Sequence, residues 1–121
     1  MSKLILAVED QEDNMKILRD LLTSAGYEIV EAENGEQAMA AVAKRRPDLI
    51  LMDIQLPIMD GYEATRRIKA DPALRSIPII AVTSHAIGGG EEKARAAGCD
   101  DFVAKPYSPR QLLTKIRQYL S

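Results

Sequence analysis

Asp53 closes the apolar run Leu49-Ile50-Leu51-Met52 and opens the loop Ile54-Gln55-Leu56-Pro57-Ile58-Met59-Asp60-Gly61. A carboxylate at the end of a buried strand is costly unless it has partners or a task. Partners are present in the chain. Glu9 and Asp10 follow the apolar run Leu4 to Val8, Thr83 ends Ile77 to Val82, and Lys105 ends Phe102 to Ala104. Four apolar segments thus each deliver a polar group at the C-terminal end. On parallel strands these ends share one sheet edge, where open α/β folds bind ligands. Three carboxylates converging there repel one another and would raise the pKa of at least one. A hard divalent cation such as Mg²⁺, which takes oxygen ligands, removes that conflict. Taken singly, Glu9-Asp10 also fits acids near a helix N-terminus. Thr83 alone fits an ordinary β-branched strand residue, and Lys105 a solvated strand end. Their coincidence at four strand ends favours a site.

The elements that must position these groups follow from periodicity. Apolar runs of strand length alternate with helical stretches, the pattern of a parallel α/β sheet. Strands are expected near Leu4–Val8, Glu28–Ala32, Leu49–Asp53, Ile77–Thr83 and Asp101–Ala104. The third and fourth are continuously apolar, as for strands covered on both faces, whereas Glu28-Ile29-Val30-Glu31-Ala32 suits an edge. Leu18, Leu21, Leu22 and Ala25 form one face of the first helix, which Gly26 ends. Asn34 and Gln37 make a capping box for the second helix, which stops before Pro47. The third follows Asp60-Gly61 with Ala64 and Ile68 inward, and ends by Asp71-Pro72. The fourth runs from about Glu91 to Ala97. The fifth places Leu112, Leu113, Ile116 and Leu120 inward, with Arg110, Lys115 and Arg117 outward.

Val8-Glu9-Asp10, Leu51 to Pro57 running into Met59-Asp60-Gly61, Val82-Thr83 and Lys105-Pro106 together resemble the receiver domain of two-component response regulators, of the chemotaxis-regulator-like, single-domain type. The resemblance spans the whole chain, 1–121, as a single receiver domain. It implies a flavodoxin-like (βα)5 doubly wound sheet of strand order 2-1-3-4-5. It also implies a cytoplasmic phosphoprotein of a phosphorelay that accepts a phosphoryl group from a histidine kinase or histidine phosphotransfer protein. Carried onto these residues, Asp53 is the phosphoacceptor, with Thr83 and Lys105 assisting. Mg²⁺ (or Mn²⁺) is held by Asp10, Asp53 and the backbone carbonyl of Gln55, with Glu9 acting through water. Thr83 and Phe102 form the switch, and a downstream protein binds the face of helix 4, strand 5 and helix 5. The Lys105–Pro106 peptide bond is expected to be cis, a form only X-Pro makes cheap. The resemblance implies a domain that assists its own phosphorylation and dephosphorylation and is no turnover enzyme.

Composition agrees with one small domain. The chain has 121 residues, 46% hydrophobic and 28% charged. A net charge of −2 does not suggest a nucleic-acid binder. No apolar stretch approaches a membrane span, and Met1-Ser2-Lys3 running into a strand argues against a signal peptide. The single Cys99 reads as a small core residue. Gly88-Gly89-Gly90 should delay or fray the fourth helix, making Thr83 to Gly90 the most mobile loop. Ser84 is small enough to keep the site open, and His85 reads as a loop residue near its mouth.

Rival readings are weaker. A phosphatase of the haloacid dehalogenase type would want a second Asp where Gln55 stands. A flavin or nucleotide binder would want a Gly- or Ser/Thr-rich loop where Glu9-Asp10-Gln11-Glu12-Asp13 stands. The alternative within the resemblance is a degenerate receiver acting as a phosphorylation-independent interaction module, which the complete acidic set, Thr83 and Lys105 disfavour. The receiver portion of a hybrid kinase would look similar, and the Met1 start favours a complete chain.

Overall fold

The computed structural model describes residues 2–84 and 90–120. Five strands alternate with five helices: β1 (Leu4–Val8), α1 (Glu12–Ser24), β2 (Glu28–Ala32), α2 (Gly35–Lys44), β3 (Leu49–Asp53), α3 (Gly61–Ala70), β4 (Ile79–Thr83), α4 (Glu91–Ala97), β5 (Asp101–Ala104) and α5 (Pro109–Leu120). All neighbouring strands pair in parallel, in the order β2-β1-β3-β4-β5. This is the flavodoxin-like order expected from the sequence. β1, β3 and β4 are buried along their whole length, because helices cover both faces. β2 lies at an edge and exposes Glu28 and Glu31. β4 begins two residues later than expected. Pro78 has no N–H to give a ladder, so it contributes only its carbonyl, which accepts from Ile50 N at 2.9 Å.

Side chains alternate across the sheet and build two cores. Leu6, Val8, Ile50, Met52, Ile79 and Ala81 pack toward Ala38 and Val42 of α2, Ala64 and Ile68 of α3, and Ala94 of α4. Ile5, Ala7, Leu49, Leu51, Ile80 and Val103 pack toward Met15, Leu18 and Leu22 of α1 and Leu112 and Ile116 of α5. Each fully buried aliphatic side chain contributes about 1.5–3 kcal/mol. On α1, Met15 completes the buried stripe, while Ala25 stands just past the helix as its cap. Lys115 does not simply face solvent: its ammonium donates to Asp101 Oδ1 at 3.0 Å.

Local signals set the helix ends. Asn34 Oδ1 accepts from Gln37 N at 2.8 Å, and Asp60 Oδ1 accepts from Glu63 N at 2.9 Å. Gln37 Oε1 reaches back to Glu33 N, one residue before the cap, so the box closes a step early. Gly98 ends α4 at φ 109°, a conformation glycine adopts without steric cost. At the sheet edge where the strands start, Leu4 N donates to Asp48 Oδ2 at 2.7 Å. There too Lys69 Nζ donates to Ile77 O and Asp100 Oδ2, each at 2.8 Å, and Tyr119 Oη of α5 donates to Asp100 O at 3.1 Å. Among the described residues, no helix is long and apolar enough to cross a membrane.

Candidate functional site

The strand registers bring the polar strand ends to one edge. Val8 pairs with Met52, Asp53 with Val82, and Thr83 with Ala104. Glu9 and Asp53, each next to a fully buried strand residue, are themselves buried at 3% and 5% exposure. Asp10, one step further, is exposed. One carboxylate oxygen from each of Glu9, Asp10 and Asp53 falls within 4.8 Å of the other two. This is the all-oxygen donor set a hard divalent cation takes, so these residues fit Mg²⁺. Gln55 lines the same cleft, of about 260 Å³, together with Gln11, Asn14, Ser84 and Lys105.

Lys105 supplies the balancing charge. Its ammonium lies 3.0 Å from Glu9 Oε1 and 3.1 Å from Asp53 Oδ2. Burial pulls the Lys105 pKa down, but the hydrogen bonds to Glu9 and Asp53 outweigh it together, and the ammonium titrates above the ordinary lysine range. The Lys105–Pro106 peptide bond is cis, as expected. The second oxygen of each buried carboxylate is also engaged. Asp53 Oδ1 accepts from Gln55 N at 3.1 Å, and Glu9 Oε2 accepts from Gln11 N at 3.2 Å. Thr83 is fully buried at the adjacent strand end.

The loop after Asp53 is fixed by close backbone contact. Gly61 N donates to Ile54 O at 3.0 Å. A Cβ on Gly61 would stand 2.3 Å from the Asp53 carbonyl oxygen, so only glycine lets α3 start this near β3. The loop also holds Ile58 at φ 69°, a left-handed conformation rare for a β-branched residue. Ile58 is 74% exposed.

Phe102 is partly buried on β5 and lines a groove of about 670 Å³ with Arg95 of α4 and Arg110, Thr114 and Lys115 of α5. It thus sits on the α4–β5–α5 face, apart from the acidic cleft. Two side-chain roles were not legible in the sequence. Ser84, read only as a small residue, donates its hydroxyl to Gln55 Oε1 at 2.7 Å. Gln55, read only for its backbone, therefore has a side-chain role as well. The sequence offers no signal for this, since the pair lies 29 residues apart on different strand ends. A second cleft of about 360 Å³, walled by Ile17, Leu18, Pro106 and Tyr107, opens beside the acidic one and shares Asn14, Asp53, Ser84 and Lys105 with it. The expectations for His85, Gly88 and Gly89, and for the loop they form, lie outside the described residues. Gly90 has helical dihedrals, φ −60° and ψ −40°, immediately before α4.

Comparison with known proteins gives concordant results. The family model for the response regulator receiver domain matches residues 5–117. A polar-differentiation response regulator, DivK, from Brucella anthropi is 47% identical over 99% of this chain and 98% of its own length. The receiver domain of the sensor histidine kinase PA1611 from Pseudomonas aeruginosa superposes with a TM-score of 0.93 at 38% identity, covering 99% of this chain and 98% of that one. That structure has a magnesium ion coordinated in the active site cleft. The chemotaxis response regulator CheY4 of Vibrio cholerae superposes with a TM-score of 0.92 at 27% identity, covering 98% of this chain and 99% of that one.

Proposed function

Because this chain belongs to the response regulator receiver domain family, we propose that Asp53 accepts a phosphoryl group from a histidine kinase or a histidine phosphotransfer protein. The observation that carries this reading is Asp53 itself, buried yet bound to the Lys105 ammonium at 3.1 Å and clustered with Glu9 and Asp10. An Asp53 carboxylate oxygen forms the new bond to phosphorus. The bond from phosphorus to the donor imidazole nitrogen breaks, and its electron pair stays on that nitrogen. Lys105 keeps its proton throughout and sets a fixed positive charge against one phosphoryl oxygen. The Thr83 hydroxyl donates to another. Burial of Asp53 and Glu9 keeps bulk water from competing for these contacts. Asp10, Asp53 and the Gln55 carbonyl would hold Mg²⁺ or Mn²⁺, with Glu9 acting through water, and the ion would supply further charge at the phosphoryl oxygens.

The acyl phosphate then biases an equilibrium between two packings of Thr83 and Phe102. The output is a protein bound at the α4–β5–α5 face, where Phe102 lies among Arg95, Arg110 and Lys115. A net charge of −2 does not suggest nucleic acid as the partner. The domain is a cytoplasmic signalling module that assists its own phosphorylation and dephosphorylation and does not turn over a substrate. The complete set of acids, Thr83 and Lys105 disfavours a phosphorylation-independent module. Incubation with Mg²⁺ and acetyl phosphate should add one phosphoryl group, read by intact mass, and Asp53→Asn should abolish it. Equal labelling of that variant would overturn the assignment.

A further inference from the structure

We propose that the outer edge of β5 is a strand-addition site for an extended segment of a partner protein in which acidic and apolar side chains alternate. The proposal rests on the reading of the α4–β5–α5 face as the output surface, and gives that surface a binding mode and a partner chemistry. Among the described residues β5 pairs with β4 alone, so its other side has no ladder partner in the sheet. All four of its residues, Asp101 to Ala104, line the groove of about 670 Å³ that α4 and α5 flank. The strand edge is thus the floor of that groove. Successive N–H groups of a strand point to opposite sides. Lys105 N–H points at β4, where it donates to Thr83 O at 2.8 Å. Phe102 and Ala104, out of step with Lys105, therefore point away from the sheet. Phe102 N–H donates instead to Asp101 Oδ1 at 2.8 Å, a carboxylate oxygen standing where a neighbouring strand's carbonyl would. That carboxylate is anchored from α5 by Lys115 Nζ at 3.0 Å and Tyr119 Oη at 3.2 Å.

The pleat and the charges fix what the added strand carries. Val103 packs with Leu112 and Ile116 of α5, so Asp101 and Val103 face α5 while Phe102 and Ala104 face α4. α5 is a basic wall: it carries Arg110, Lys115 and Arg117 and no acidic residue, and both arginines are exposed. On α4, Arg95 is already paired with Glu91. Acidic side chains on the α5 side of the added strand meet the basic wall. Apolar ones on the α4 side meet Phe102, which is only half-buried. The opposite edge of the sheet is different. β2 presents Glu28 and Glu31, paired with Arg45 and Arg19, and charges of this kind discourage strand addition. The outward-facing residues of β5, Phe102 and Ala104, carry none. On binding, a partner carbonyl takes the Phe102 N–H from Asp101, which keeps Lys115 and Tyr119. Pro106 has no N–H and ends the edge, so the added strand is short and its backbone bonds supply much of the affinity.

The test titrates the full chain with a capped peptide of alternating glutamate and valine and follows backbone amide shifts by NMR. The Phe102 and Ala104 amides should shift together. Two N-methylated forms of the peptide separate strand addition from side-chain docking. One is methylated at every glutamate nitrogen and the other at every valine nitrogen, so only one of them loses the donors that face β5. That one should bind about tenfold or more weakly, the equivalent of two lost hydrogen bonds, and the other should bind like the parent peptide. A lysine–valine peptide should not bind, and Arg110→Glu with Arg117→Glu should weaken the glutamate–valine peptide about tenfold or more. Equal affinity of the two methylated peptides, with shifts still on this face, would overturn strand addition and leave the face as the output surface. Shifts confined to other elements would overturn both. No binding at about 1 mM, or equal binding of the lysine–valine peptide, would overturn the proposed partner chemistry.

Discussion

Gly61→Ala tests whether the close approach of α3 to β3 fixes the reactive carboxylate. The added Cβ would lie 2.3 Å from Asp53 O, 2.8 Å from Ile54 Cα and 3.1 Å from Asp53 C. All three are backbone atoms, so no side chain can swing aside. The contact must open from 2.3 Å to at least 3.0 Å, a shift of about 0.7 Å. β3 pairs with both β1 and β4, so the strain falls on the Asp53–Ile54 turn and the first turn of α3. Overpacking of this kind costs about 1–3 kcal/mol, offset by up to about 1 kcal/mol from replacing glycine in a helix. The net loss, about 1–2 kcal/mol, should lower Tm by roughly 5–10 °C. The chemical loss should be larger in proportion. A misplacement of about 1 Å can cost about 100-fold in rate, so phosphorylation by acetyl phosphate should fall about tenfold or more. Gly26→Ala is the control. It places alanine at φ 93° with open space around it, costing roughly 1–2 kcal/mol at the end of α1 without touching the cleft. Initial rates from intact mass and Tm from calorimetry would be compared for both variants. If Gly61→Ala loses Tm but phosphorylates at the parent rate, the packing argument fails.

Asp10→Ala should weaken Mg²⁺ binding by at least about tenfold, because too few protein oxygens remain to compete with water; unchanged affinity in a titration would refute this. Lys105→Met leaves Glu9 buried without its cation and should cost about 1–3 kcal/mol, less than a fully buried pair because the lysine side chain keeps 23% exposure. The folded-state pKa of Lys105 is raised, so its stabilisation is complete below the ordinary lysine value and is lost as pH rises through the higher folded one. The stability deficit of Lys105→Met in urea should therefore hold steady from about pH 7 to about pH 9 and shrink only above the lysine range. Cys99 is buried, and burial pushes its thiol pKa up, so the folded state favours the neutral form. That contribution is complete below the ordinary thiol value and is lost as pH rises through the folded one. The native protein should resist a thiol reagent at about pH 8 and react fully once unfolded; rapid native reaction would contradict this.

Much of this arrangement can be read from single residues. Asp53 was legible because the apolar run Leu49–Met52 declares a strand covered on both faces, which makes a carboxylate at its end anomalous. Glu28 and Glu31 marked β2 as an edge for the same reason in reverse. Long-range pairings were less legible. Lys115 is one of several charged residues on an amphipathic helix, and only the packing of α5 beside β5 gives it to Asp101. Ser84 and Gln55 each have an adequate local reading, so nothing in either segment announces the other. Ile58 shows no trace in sequence of its left-handed backbone, because the turn from Asp53 to Gly61 imposes that conformation from outside. Ile77 has the hydrophobicity of a strand residue, which hides the true start of β4; the ladder itself begins only after Pro78.

The two ends of the described chain lie on the same side of the sheet. Leu4 opens β1 beside Asp48, and Tyr119 meets Asp100 in the last turn of α5. Asp53 lies at the opposite margin, a strand's length away, or about 16 Å. A dye, a surface tether or an affinity handle attached at either end would therefore sit behind the domain and leave the carboxylate face open to solution. Immobilised protein should stay accessible to a soluble phosphodonor from the front.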